Sequence, residues 1–114
     1  MSKPTDVRPK DTTLYFLPVE TRVPLKFGSE TLTEITCARV CMRIEGAKGK
    51  TAEGWGETPL SVQWVWPSSL SYAERHEALK DFCVRLCGEW DAESTSGHPV
   101  EIGHTFISKR LPNL

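Results

Sequence analysis

Residues 31–45 read TLTEITCARVCMRIE, and this run constrains the fold more than any other part of the chain. Ala38, Val40, Met42 and Ile44 fall on one side of an extended backbone; Cys37, Arg39, Cys41, Arg43 and Glu45 fall on the other. That period of two marks a half-buried strand of unusual length, since successive side chains leave opposite faces of the pleat. Upstream, residues 13–23, TLYFLPVETRV, mix β-branched and aromatic side chains around Pro18. Proline donates nothing to a ladder, so this strand belongs at a sheet edge or carries a bulge. Downstream, GAKGK forms a turn in which Gly46 and Gly49 supply positive φ. Residues 50–57, KTAEGWGE, are the partner strand, interrupted by Gly54 and Gly56. Strands joined in succession by short turns predict an antiparallel meander.

Helical signals follow. Ser71 and Glu74 fit a capping box, in which each side chain accepts a free N–H at the helix start. Tyr72, His76, Leu79, Phe82, Cys83 and Leu86 recur at helical spacing, and Gly88 is placed to stop the helix in a left-handed cap. The spacing predicts a helix from about Tyr72 to Cys87. After the polar connector DAESTSGH, Pro99 opens a second helix with Val100, His104, Ile107 and Leu111 as its buried stripe. The fold class is therefore α+β, a three-stranded antiparallel meander followed by helices. Residues 13–114 form one domain, and residues 1–12 are expected to be a disordered arm.

Charge excludes some classes of partner. Fourteen basic and fifteen acidic residues in 114 leave a net charge of −1, which gives no electrostatic footprint for nucleic acid or an anionic membrane. The longest apolar run is far short of the ~20 residues that span a bilayer. The opening MSKPTDVRPKDTT has no apolar core of a leader peptide, so a cytoplasmic location is expected.

The four cysteines read as reduced thiols. Cys37 and Cys41 on one strand stand ~13 Å apart, and Cys83 and Cys87 on one helix have β-carbons ~5–6 Å apart; neither spacing suits a relaxed disulfide. A zinc site from Cys83, Cys87 and His98 or His104 is a weaker alternative, because the usual short knuckle spacing is missing. No complete catalytic set emerges. His76 lies ~10 Å along the helix from Cys83, and Glu53 and Glu57 stand ~13 Å apart on their strand, too far to share one water. GWGE lacks the following helix and lysine of a phosphate loop.

The succession Arg22-Val-Pro-Leu-Lys-Phe-Gly28, an alternating strand, Gly54-Trp-Gly-Glu57-Thr-Pro59 and a capped helix resembles the N-terminal capping domain of the enolase superfamily. The branch it is most similar to is that of mandelate racemase and muconate lactonising enzymes. The resemblance covers roughly Thr13 to Cys87. It implies a domain that excludes water and sets specificity over the mouth of a C-terminal barrel, where Mg²⁺ and the acid–base residues of a racemase, cycloisomerase or acid-sugar dehydratase sit. By the same resemblance, Pro24, Leu25, Lys26 and Phe27 belong to one capping loop, and Gln63, Trp64 and Trp66 to a second beside it. The chain departs from the family in that nothing in it matches the barrel, so catalysis, Mg²⁺ and substrate chemistry are expected only with that missing domain. The alternative is a stand-alone module that binds a protein or small ligand through its aromatic loop.

An uncovered cap leaves apolar side chains in water. Leu25, Phe27, Val62, Trp64, Trp66 and the C-terminal leucines are the expected exposed set, and burying several of them favours a two-fold homodimer.

Overall fold

A computed structural model describes residues 3–27, 30–62, 66 and 68–114, with Phe27 described in its backbone only. The long alternating run becomes β2 (Glu30–Gly46), the middle strand of a sheet in the order β1-β2-β3. Its neighbours are β1 (Val7–Phe27) and β3 (Thr51–Pro59), both antiparallel to it. The meander is as the sequence predicts. Gly49 takes the expected positive φ, 82°, in the β2–β3 turn.

β1 begins at Val7 rather than Thr13, entering the stretch the sequence assigned to an arm. A bulge explains how. Pro9 pairs with Ile44 and Asp11 with Arg43, so Lys10 is the extra residue and Pro9 joins the buried face. A second irregularity between Glu20 and Leu25 takes Pro24 out of one-to-one pairing. Pro18, opposite Thr36, is tolerated because β1 is an edge.

Helix α1 (Tyr72–Asp91) carries the predicted box, with Ser71 Oγ accepting from Glu74 N–H at 3.2 Å and Glu74 Oε2 accepting from Ser71 N–H at 3.0 Å. It passes through Gly88 and ends three residues later. A helical glycine costs only ~1 kcal/mol, and the extra turn is held by tertiary contacts. Trp90 stacks on Phe106 with ring centroids 4.0 Å apart, and Glu89 accepts from Arg110 at 2.6 Å. Helix α2 (Pro99–Thr105) starts with proline as expected, capped by His98 Nδ1, which accepts from Val100 N–H at 3.2 Å. A π-helical turn (Phe106–Arg110) and a 3-10 turn (Leu111–Asn113) continue it.

The buried stripe of this C-terminal segment is Ile102 and Phe106, not Val100, His104, Ile107 and Leu111. Stacking on Trp90 decides the rotation, and it leaves Val100 72% and Ile107 62% exposed.

α1 lies over β1. Thr12 donates from its N–H and its hydroxyl to Asp91 Oδ1 at 2.7 and 2.8 Å, and Lys80 Nζ sits 5.1 Å from the centroid of the Phe16 ring. The sheet is otherwise thinly covered, and every residue of β3 is exposed. The Cα radius of gyration is 17.1 Å, against about 13 Å for a compact domain of ~100 residues. No helix among the described residues is long and apolar enough to cross a membrane.

Candidate functional site

β1 turns into β2 at one end of the sheet, and β3 finishes its run toward that same end. There Leu60 N–H donates to Thr36 C=O at 2.8 Å, and the chain leaves the sheet for α1. β2 continues beyond Thr36 to Glu30, so the β1–β2 hairpin overhangs the end of β3 by ~20 Å at strand rise. Pro24–Lys26 and the start of the segment that follows β3, at Leu60 and Val62, are thus brought to one end of the sheet.

Pro24, Leu25 and Lys26 are exposed, but they lie on β1 rather than on a loop. Leu25 pairs with Leu32, Lys26 with Thr31 and Phe27 with Glu30. Gln63 and Trp64 lie outside the described residues. Trp66 is half-buried, and its N–H donates to Val62 C=O at 3.0 Å.

Val62 corrects an expectation. It is 0% exposed, and Leu60 and Leu32, toward the same end of the sheet, are also buried. The described apolar residues at the start of this segment, Leu60 and Val62, are thus buried. Backbone bonds hold the segment close to the sheet: Leu60 N–H donates to Thr36 C=O on β2, and Val62 N–H donates to Leu60 C=O at 3.0 Å.

The residue that fixes this segment to the helix is Arg75, only 6% exposed. Its Nη1 donates to Trp66 C=O at 2.7 Å and its Nε to Ser71 C=O at 3.4 Å. Sequence reasoning did not single it out. Its position one turn before Leu79, on the apolar flank, was the available signal.

A second feature stands on the sheet face away from α1. Register places Tyr15 opposite Arg39 and Arg39 opposite Glu57, with Trp55 opposite Cys41. Arg39 Nε donates to Glu57 Oε2 at 2.6 Å. Tyr15 and Trp55 lean together with centroids 6.1 Å apart and planes at 24°, and Trp55 is 60% exposed. Arg39, Trp55, Gly56 and Glu57 line a recess of about 350 Å³.

The four thiols are free. Burial pushes each of them above the ordinary cysteine range; Glu57 beside Cys37 and Glu53 beside Cys41 add to the effect. A thiol held neutral is a poor nucleophile and a poor metal ligand. His98 spends Nδ1 on its helix cap, while His104 Nε2 lies 3.4 Å from Ser108 Oγ. Among the described residues, no group of three or more His, Cys, Asp or Glu side chains is placed to hold a metal ion.

The C-terminal segment is clamped by charge as well as by stacking. Arg110 donates to Glu89 Oε2 at 2.6 Å and to buried Glu93 Oε2 at 2.8 Å. Hydrogen bonds from Thr95, and then from Arg110, hold the Glu93 carboxyl below the ordinary carboxylate range despite its burial. Comparison with family models, curated proteins and solved structures finds no match for the chain.

Proposed function

We propose that this chain is a capping domain of the enolase-superfamily kind, non-catalytic by itself, which closes over a barrel of the mandelate racemase and muconate lactonising branch. The observation that supports the reading is positional. The strand end at Pro24–Lys26 and the segment entered through Leu60 and Val62 lie at one end of the sheet, where both can meet a single barrel mouth. Leu32, Leu60, Val62 and Arg75 stiffen that end from behind. A rigid root with an apolar rim excludes water from a bound acid, which strengthens every electrostatic contact inside the site.

Proton abstraction next to the carboxylate, and the Mg²⁺ that stabilises the resulting enolate, belong on this reading to the barrel. The residues of this chain contribute closure and selectivity: Leu25 and the tryptophan segment shape the rim, and Lys26 offers a cation to an acid substrate.

Titrating the isotope-labelled chain with a barrel half taken from an enzyme of this branch tests the proposal by amide shift changes. The expected shifts cluster at residues 24–27 and 60–68. Shifts confined to Tyr15, Arg39 and Trp55, or no shifts at all with a folded barrel, would overturn it.

The exposed stack of Tyr15 on Trp55 beside the Arg39–Glu57 pair favours a second reading, a stand-alone module that binds a ligand or protein. Its aromatic platform is then the sheet face rather than the loop.

A further inference from the structure

We infer that the open edge of β3 takes up an extended segment of another protein as a fourth strand. That segment is apolar on the α1 side and carries a cation opposite Glu53 on the other. Backbone bonds fix which groups face the edge. Gly46 N–H donates to Lys50 C=O at 2.7 Å and Leu60 N–H to Thr36 C=O at 2.8 Å, and both pairs continue the β2–β3 register. Bonded and non-bonded pairs alternate along an antiparallel ladder. Ala52, Gly54, Gly56 and Thr58 therefore exchange bonds with β2, while Thr51, Glu53, Trp55 and Glu57 turn N–H and C=O away from it. Among the described residues no strand lies on that side of β3.

The two edges of the sheet differ. β1 is guarded: Pro9, Pro18 and Pro24 lack donors, two irregularities break its register, and Gly97 exchanges both backbone bonds with Val7. Such devices block strand addition. β3 has none of them before its terminal Pro59. It pairs without a shift from Thr51 onward, contains no lysine or arginine, and is exposed at every residue. An edge of that kind is a template for another strand, and strand addition is an established mode of peptide recognition.

Side chains beside the edge specify the occupant. On the α1 side, Gly54 and Gly56 stand opposite Met42 and Val40, and no atom lies within 4 Å of where their β-carbons would be. Next to them is an apolar groove of about 340 Å³ lined by Leu14, Val40, Met42, Leu86 and Trp90. A large apolar side chain on the added strand can cross the glycines into this groove, as aromatic residues do over edge glycines. On the opposite face Arg39 is spent on Glu57 and Arg43 on Asp11. Glu53 accepts from Cys41 Sγ at 3.6 Å and has no ion pair among the described residues. A cation directly across the edge supplies one.

A second copy of β3 does not meet these requirements. Residues opposed across a ladder share a face, so in every register Ala52, Gly54, Gly56 and Thr58 would oppose one another. The groove would receive no large side chain, and Glu53 would meet no cation. The site is independent of the capping role, which uses the end of the sheet and not its edge.

A capped nine-residue peptide is the probe, with phenylalanine and valine at alternate positions and lysine and threonine between them. Titrated into the isotope-labelled chain, it is expected to bind with Kd below ~1 mM and to shift the amides of residues 51–58. Thr51, Glu53, Trp55 and Glu57 should gain protection from deuterium exchange. Glutamate in place of lysine should weaken the peptide at least ~10-fold, and Glu53→Lys should reverse that preference. Methylating the peptide amides that face β3 should abolish binding. No shifts at millimolar peptide, shifts confined to residues outside 51–58, or equal binding of the methylated peptide would overturn the proposal. So would a dimer of the unaltered chain, seen by sedimentation, that Trp55→Pro dissolves, because the edge would then belong to a second copy.

Discussion

Replacing Arg75 should cost more than replacing any other charged residue of α1. The guanidinium is buried, and it holds Trp66 C=O at 2.7 Å. A hydrogen bond to a charged donor contributes ~1.5–3 kcal/mol, and removing the donor leaves a half-buried carbonyl short of a partner. Arg75→Met keeps most of the stem but no donor, so a loss of about 2–3 kcal/mol is expected. At roughly 4 °C per kcal/mol for a domain of this size, the melting temperature falls by about 10 °C. Arg75→Lys keeps one charged donor on a shorter reach and should fall between the two. Urea unfolding followed by circular dichroism measures the global term, and tryptophan emission reports the 60–67 segment. A Met variant within ~0.5 kcal/mol of the parent, the range of ordinary surface changes, would show that Arg75 does not fasten this segment.

Val62→Ala should lose about 2 kcal/mol through transfer and cavity terms, while Val23→Ala, at an exposed position, should change almost nothing; equal effects in denaturant unfolding would contradict the placement of the core. Glu93 gives a pH dependence with a definite sign. Its folded value lies below its ordinary value near 4.5, so its contribution is complete above that pH and disappears as pH falls through the lower folded value. Melting temperatures followed downward from pH 6 should therefore drop, and Glu93→Gln should flatten part of that drop; an unchanged slope in the variant would remove Glu93 from the clamp. All four cysteines should alkylate more slowly than free cysteine at pH ~7.5, because burial keeps them as thiols. A thiol that reacts faster than the free amino acid, found by peptide mass spectrometry, would contradict this.

Local rules made much of this fold readable. The alternation of Ala38, Val40 and Met42 with Cys37, Arg39 and Cys41 specifies a strand with one covered face. Ser71 with Glu74, and Pro99 after a polar connector, mark helix starts through side-chain and backbone chemistry within one turn. What escaped the sequence was decided at a distance. α1 outruns Gly88 because Trp90 finds Phe106 and Glu89 finds Arg110, contacts that no window of residues reveals. The same stack turns the C-terminal segment so that Ile102 is buried and Val100 is not. β1 starts early because a bulge at Lys10 shifts the register and lets Val7–Pro9 go on pairing with Ile44–Gly46, with Pro9 on the covered face. For the site, the type of residue was legible and its environment was not. Leu25 and Lys26 stand exposed near the end of β1, yet they are strand residues. Arg75 was not singled out at all, because its carbonyl partner on Trp66 lies outside its helix.

A chimaera puts the capping role to its most direct test. Residues 7–114 of this chain would replace the N-terminal domain of an enzyme from the mandelate racemase branch, retaining that enzyme's barrel and Mg²⁺ ligands. Exchange of the proton next to the carboxylate is then followed by NMR in deuterium oxide across a panel of mandelate-like and sugar acids. A cap of this kind predicts exchange with at least one acid, a substrate preference unlike the parent's, and a rise in KM with little change in kcat when Lys26→Met is introduced. A folded chimaera that binds Mg²⁺ and exchanges none of the panel, or one indifferent to Lys26 and to Trp64→Ser and Trp66→Ser, would contradict it.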